Sequence, residues 1–247
     1  MRRALLSLFA FSALLAPVAA QAGMTDAQKK EIEAIVRQYI LDNPEVLFEA
    51  ADKHQQKQEE AAAEAAKKVL AEKSDELFKN PAYAVLGNPK AAVAFVEFFD
   101  YNCGYCKQAY KDLNALVERN KDIKIILVDT PILGPTSLEA AKWAIAAGKQ
   151  GKYTEFHKAA MSFTGPKNEE SLRAIAKDAG LDPDKVKEAA AKEEVMTQIS
   201  KNMQLFSSLG LSGTPGFAAK DQVLRGFVGS ETLEKMAKEM QTAANGK

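Results

Sequence analysis

The chain has 247 residues, 33 basic and 33 acidic side chains, and a formal net charge of zero. That balance gives no electrostatic case for binding nucleic acid or an anionic membrane surface. Two cysteines and two histidines are too few for a disulfide-built scaffold.

Residues 1–22, MRRALLSLFAFSALLAPVAAQA, read as a secretory leader. Two arginines precede an apolar run from Ala4 to Leu15 that is too short to span a bilayer. Ala20 and Ala22 form an Ala-x-Ala pattern, which places cleavage near Ala22 and a mature start at Gly23. An uncleaved anchor is the alternative. Without Arg2 and Arg3, 31 basic residues face 33 acidic ones, a net of −2. About 225 residues remain, enough for one large domain with an accessory segment.

Residues 24–41 have the pattern of an amphipathic helix capped by Thr25 or Asp26. Ile32, Ile35, Val36, Tyr39 and Ile40 fall on one stripe. Asp42-Asn43-Pro44 breaks the pattern, with Asn43 as N-cap and Pro44 at the first position of a second helix. That helical pattern runs from Glu45 to about Lys79, a length on the order of 50 Å. Between Glu49 and Lys68 it holds no large aliphatic side chain, so it reads as a solvated strut. Its apolar residues lie at the ends: Val46, Leu47 and Phe48, then Leu77 and Phe78. The stretch 80–90, with two Asn-Pro steps, marks a domain boundary.

From Ala91 the pattern changes. AAVAFVEFF is apolar at both parities except at Glu97, as in a fully buried strand. Cys103-Gly104-Tyr105-Cys106 follows and opens a helix to about Asn120. Residues 123–132 form a second buried strand, which completes a β-α-β unit and requires a partly parallel sheet. Helical patterns fill 137–206, and Trp143 and His157 read there as core or surface without assigned chemistry. Residues 213–229 have hairpin character, and a helix closes the chain from Glu231 to Thr242.

The cysteine pair closes a loop too small to stabilise much by chain entropy, so chemistry explains it better than stability. A cysteine at a helix N-terminus meets unpaired N–H groups and the helix dipole, which favour its thiolate. Cys103 would then attack a disulfide, and Cys106, one turn inside, would resolve the mixed disulfide. A zinc half-site or a static disulfide is the bland alternative. Zinc would need two further ligands, and neither His54 nor His157 lies at ligand spacing. No metal or cofactor is expected. Glu97, buried beneath the pair, would have a raised pKa and could relay the proton of Cys106. Otherwise it is a strand-end carboxylate paired to a lysine or reaching solvent. Thr214-Pro215 begins a strand, where proline removes a ladder donor. A cis peptide there would leave the Thr214 backbone free to pair with a substrate segment.

FVEFFDYNCGYCKQ, the helical insertion and GTPGF before a hairpin together resemble the DsbA family of the thioredoxin superfamily over about residues 88–245. The resemblance implies an α/β thioredoxin-like fold with a mixed central sheet and a helical insertion at about 137–206. It implies a periplasmic thiol–disulfide oxidoreductase that works through a Cys103–Cys106 disulfide, with Glu97 as the buried acid and Gly213-Thr214-Pro215 as the cis-proline loop. Gly104, Tyr105, Thr214 and Pro215 would contact substrate. Three features depart from the family pattern. Gly104-Tyr105 stands where the family has Pro-His, so no imidazole stabilises the Cys103 thiolate. Thr214 stands in place of Val, as in isomerase-type members, and the AAKDQ turn differs from the common hairpin.

YILDNPEVLFEA is similar to the ScsC (suppressor of copper sensitivity protein C) branch, in which an oligomerising stalk precedes the catalytic domain. Residues 23–80 would then be a helical oligomerisation segment and linker. The stripe of Ile32, Ile35, Val36, Tyr39 and Ile40 would be buried by self-association, a trimer by resemblance, unless it folds back on its own domain. The expected activity is disulfide isomerase or reductase on misfolded or copper-stressed secreted proteins, kept reduced by a membrane partner of DsbD or ScsB type. A DsbA-like oxidase that donates disulfides and a copper(I)-binding thiol protein are the alternatives.

Overall fold

The computed structural model describes residues 24–245. The candidate leader and its cleavage site lie outside the described residues. The chain divides into two units, one ending at Gln56 and one beginning at Lys57.

In the first unit, helix α1 (Asp26–Asp42) starts in a capping box. The Thr25 hydroxyl accepts from Gln28 N–H at 3.3 Å, and Gln28 Oε1 accepts from Thr25 N–H at 2.9 Å. Asn43 closes α1, and its side chain does not cap the next helix as expected. Its Nδ2 and its backbone N–H both donate to the Tyr39 carbonyl, each at 2.9 Å. Carbonyls at a helix end lack intrahelical partners, and one of them recruits the side chain. Helix α2 (Glu45–Glu72) follows. No α1 residue is buried, and Ile35, Val36 and Tyr39 are 61%, 50% and 57% exposed.

In the second unit, α2 turns apolar on one side near its end, where Ala66 and Leu70 are buried. The expected single helix to Lys79 breaks at Lys73 (φ −104°, ψ 13°), and a short α3 (Ser74–Phe78) carries the fully buried Leu77. Neither Gly nor Pro marks that break, so the helical pattern runs through it unsignalled.

Five strands form one mixed sheet: β1 (Ala84–Gly87), β2 (Val93–Phe99), β3 (Ile123–Asp129), β4 (Gly216–Ala218) and β5 (Val223–Arg225). Their order is β1-β3-β2-β4-β5. β2 and β3 are parallel, and the other neighbours are antiparallel. Helix α4 (Gly104–Arg119) makes the crossover between the parallel pair. Five helices, α5 (Pro135–Lys149), α6 (Tyr153–Ser162), α7 (Glu169–Asp178), α8 (Pro183–Ala190) and α9 (Glu193–Ser208), form the insertion. α10 (Ser230–Asn245) closes the chain. This is the fold class that the resemblance implies, with one correction. The stretch 80–90, expected as a boundary, contains edge strand β1. Four residues between two Asn-Pro steps are too few to show a strand period. β1 ends at Gly87, whose φ of +85° favours glycine and whose added Cβ would meet Val117 Cβ at 2.8 Å.

Strand parity assigns the faces. Phe95, Phe99, Ile125 and Leu127 join Leu113, Leu116 and Cys106 of α4, together with α5 and α6, in the larger core. Val96, Phe98, Ile126 and Val128 face Leu70, Leu77, Leu205, Phe206 and Leu209 in the second. Glu97 shares the parity of Phe95 and Phe99, so it points toward the face that α4 covers.

The second face therefore depends on residues upstream of 80. Leu77→Ala should destabilise the protein by about 2–5 kcal/mol in urea denaturation, because a buried leucine is lost and a cavity stays behind. A change below about 0.5 kcal/mol would place Leu77 outside the cooperative core.

Candidate active site

The end of β2, the turn at 100–103 and the first turn of α4 place Cys103 as the helix N-cap, with extended backbone (φ −74°, ψ 119°). Its sulfur accepts from Cys106 N–H at 3.3 Å. Its thiol lies 3.2 Å from the Thr214 carbonyl, to which it donates. Both cysteines are free thiols in this structure. Cys103 keeps 6% exposure and Cys106 keeps none, so of the two only Cys103 can meet a partner.

The electrostatics separate the pair. The Cys103 thiol is pulled down to about 6, first by a hydrogen bond from the Cys106 side chain, then by the Thr214 side chain and the N–H groups of Cys106 and Tyr105, all against the cost of burial. Burial pushes the Cys106 thiol far up. Donating to Cys103 and facing the Glu97 charge push it further. One sulfur is a thiolate near neutrality and the other holds its proton.

Glu97 is 1% exposed, and its Oε1 has no hydrogen-bond partner. Burial, then the neighbouring Cys103 charge, pushes its carboxyl up to about 8. The lysine pairing considered for it does not occur among the described residues. A carboxyl that is protonated part of the time at pH 7 and near two thiols can take up or release a proton there.

The Thr214-Pro215 peptide is cis. Pro215 is buried and Thr214 half-buried, just ahead of β4. Gly104 and Tyr105 are exposed on the rim, Tyr105 by 69%, and the Tyr105 ring stacks on Phe227 at 6.4 Å between centroids. The structure thus brings Cys103, Cys106, Glu97, Gly104, Tyr105, Thr214 and Pro215 together. The stripe Ile32, Ile35, Val36, Tyr39 and Ile40 lies in the other unit.

Several buried polar groups around this site escaped the sequence reading. Asp100 is 2% exposed. An aspartate two residues before a turn N–H is an Asx-turn signal that could have found it. Asp129, 3% exposed, accepts from Tyr153 Oη at 2.7 Å, and burial pushes its carboxyl up to about 7. His157 is a core histidine. Burial pushes it down to about 3, its Nδ1 lies 3.1 Å from Tyr101 Oη, and Phe99, Tyr110 and Tyr153 pack on its ring. Trp143 is likewise buried.

Comparison with known proteins places this geometry. The DSBA-like thioredoxin domain matches residues 94–241, and the copper resistance protein ScsC N-terminal domain matches residues 28–61. A thioredoxin-like oxidoreductase from Silicibacter pomeroyi DSS-3 is 39% identical, covers 68% of this chain and 97% of its own, and superposes with a TM-score of 0.66. A linker-deleted, point-mutated form of Proteus mirabilis ScsC is 26% identical over 91% of this chain and 100% of its own, with a TM-score of 0.69. The thiol-disulfide exchange protein α-DsbA2 of Wolbachia pipientis is 33% identical over 73% and 98%, with a TM-score of 0.67. Among curated proteins the chain matches Disulfide bond formation protein D of Bacillus subtilis, 28% identical over 62% of this chain and 77% of that protein. It also matches two Na(+)/H(+) antiporters of Salinispora, NhaA 1 and NhaA 3, at 28% and 27% identity, but spans only 23% and 21% of their length.

The shifts on Cys103 and Glu97 act on stability with opposite signs. Folded Cys103 binds its proton less tightly than the unfolded thiol, so the dithiol protein gains stability as pH rises from about 6 toward 9.0. Folded Glu97 binds its proton more tightly, so its contribution is full below 4.5 and is lost as pH rises to about 8. Glu97→Gln removes the second dependence. Urea denaturation of the dithiol form should show the variant gaining on the parent by on the order of one to a few kcal/mol between about pH 5 and pH 8. An equal difference at both pH values would mean that Glu97 titrates as an ordinary carboxylate.

Proposed function

The chain belongs to the DSBA-like thioredoxin domain family, and from that premise we propose that it is a thiol–disulfide oxidoreductase whose attacking atom is Cys103 Sγ. The observation that carries the reading is the placing of the two sulfurs, Cys103 at the α4 N-cap accepting from Cys106 N–H and Cys106 fully buried beneath it, which pulls the first thiol down and pushes the second up. The Cys103 thiolate attacks one sulfur of a substrate disulfide. A mixed disulfide forms, and the other substrate sulfur leaves and takes a proton. Cys106 then gives its proton to Glu97 and attacks Cys103 Sγ. The second substrate sulfur is released, leaving a Cys103–Cys106 disulfide and a reduced substrate. If a second substrate thiol attacks the mixed disulfide first, the substrate is isomerised and Cys103 returns unchanged. The Thr214-Pro215 segment, 3.2 Å from the sulfur at its carbonyl, holds the substrate strand, and Gly104 and Tyr105 form the rim.

Isomerase or reductase is the direction we favour, on misfolded cysteine-containing secreted proteins in the periplasm. Supporting it are the leader-like start, the absence of an imidazole between the cysteines, and Thr214. Exposed apolar side chains on α1 support a homo-oligomer, a trimer by its ScsC-type N-terminal domain, that presents several reduced sites. A membrane reductase of DsbD or ScsB type would keep it reduced. Copper(I) binding would need both sulfurs as thiolates at once, whereas exchange needs Cys106 ionised only after Cys103 has formed the mixed disulfide, so exchange is the stronger reading.

Cys106→Ser, in its thiol form, should trap a mixed disulfide with scrambled, fully oxidised ribonuclease, and Cys103→Ser should trap none. Trapping by Cys103→Ser alone would reverse the assignment. Light scattering on residues 24–247 should give a multiple of the chain mass, and deletion of 24–56 or Ile35→Lys should return a monomer. The monomer should refold scrambled ribonuclease more slowly than the parent while retaining reductase activity. Equal refolding rates would remove the isomerase argument from the N-terminal helices.

A further inference from the structure

Asp100 lies at the entry to the catalytic turn, buried, and the exchange chemistry makes no use of it. Its carboxylate accepts four hydrogen bonds. Oδ1 accepts from Asn102 N–H and from Ser137 Oγ, both at 2.7 Å. Oδ2 accepts from Ile132 N–H at 2.9 Å and Leu133 N–H at 3.0 Å. Its own carbonyl accepts from Cys103 N–H at 3.1 Å. Asn102 extends the lattice, with Nδ2 donating to Thr136 Oγ1 and Ser137 Oγ, both at 2.9 Å. Three segments therefore meet on one side chain: the turn at 100–103, the loop after β3, and the first turn of α5.

We propose that Asp100 is a positioning residue for Cys103, fixing the turn to the loop and helix of the insertion so that the sulfur stays at the α4 N-cap. The proposal rests on Cys103 being the attacking thiol. Four donors match the acceptor sites of an ionised carboxylate, and no neutral side chain of that size can accept all four. A buried carboxylate is costly unless it is hydrogen-bonded in this way. Its charge alone would work against a neighbouring thiolate, because like charges disfavour each other. What recommends Asp100 at this place is therefore geometry. If the turn loosens, Cys103 Sγ drifts from Cys106 N–H and from the Thr214 side chain, and loses the contacts that hold its pKa down.

Charge and position predict opposite outcomes, and Asp100→Asn separates them. The readouts are thiolate absorbance against pH and the alkylation rate of Cys103 by iodoacetamide at about pH 6, both on the dithiol protein. Removal of the charge alone lowers the titration midpoint. Loss of positioning raises it, by at least about half a unit, with alkylation slowed about threefold. An unchanged or lowered midpoint in folded Asp100→Asn overturns the proposal, even if its Tm falls, since a merely structural role moves Tm alone. If Asp100→Asn does not fold, Ser137→Ala decides. It removes one of the four donors without changing charge, and its midpoint must rise in the same sense. A parent protein whose Cys103 titrates near the ordinary 9.0 would instead overturn the function proposed above and leave the lattice around Asp100 as a fact of the fold.

Discussion

The first turn of α4 carries backbone N–H groups that no carbonyl of the helix can reach, and at its N-cap the chain puts a sulfur where an oxygen usually stands. The rest of the site follows from that substitution. The N–H of Cys106 points at Cys103 Sγ, so a negative sulfur is better satisfied there than a neutral one. Three residues apart at the helix start, the two cysteines lie on the same side, one turn apart, and Cys106 is the one fully buried in the core beneath the helix. One local geometry thus produces both halves of the pair, an acidic thiol at the rim and a reluctant one below it.

Glu97 is the third ionisable group of the site. Strand parity puts it on the face that α4 covers, and no cation pairs with it among the described residues. An unpaired, fully ionised carboxylate in that position would be untenable, and the fold resolves this by raising its pKa to the neutral range. Its proton and that of Cys106 then belong to one coupled system in which ionising any member discourages the others. The site is therefore poised for sequential proton loss, the order that attack by Cys103 followed by attack by Cys106 requires.

What was legible in the sequence and what was not divide along physical lines. Period and composition carry the buried strands at 93–99 and 123–129, the crossover helix and the helical insertion, because each is long enough to show its pattern. The Cys-x-x-Cys at a strand-to-helix turn carries the chemistry, since its meaning depends only on local geometry. Strand β1 is too short and too hemmed by prolines to register. The break at Lys73 leaves no residue-level trace. The hydrogen bonds that Asp100 accepts from Ile132, Leu133 and Ser137 join positions more than thirty residues apart, and nothing in local spacing could reveal them. Likewise the burial of His157 and Asp129 depends on which helices pack over the sheet, which is a tertiary fact.

The same distinction applies to α2, a single helix that runs through both units. Its start belongs to a unit with exposed apolar side chains, Leu47 at 55% and Phe48 at 73%. Its end belongs to the second face of the sheet, through Leu70 with Val69 packed beside it. The residues between are Ala, Glu, Gln and Lys for the most part, which keep the helix by propensity and add no apolar surface. Substitutions at the two ends should therefore act additively, because distant sites without shared partners do not couple. The association proposed for Ile32, Ile35 and Val36 would then change the number of sites presented together while leaving the chemistry of each unaltered. On the proposed reading, the number of sites a substrate meets would then depend on the helices around Asn43, and the redox chemistry at each site on the CxxC and the Thr214 loop.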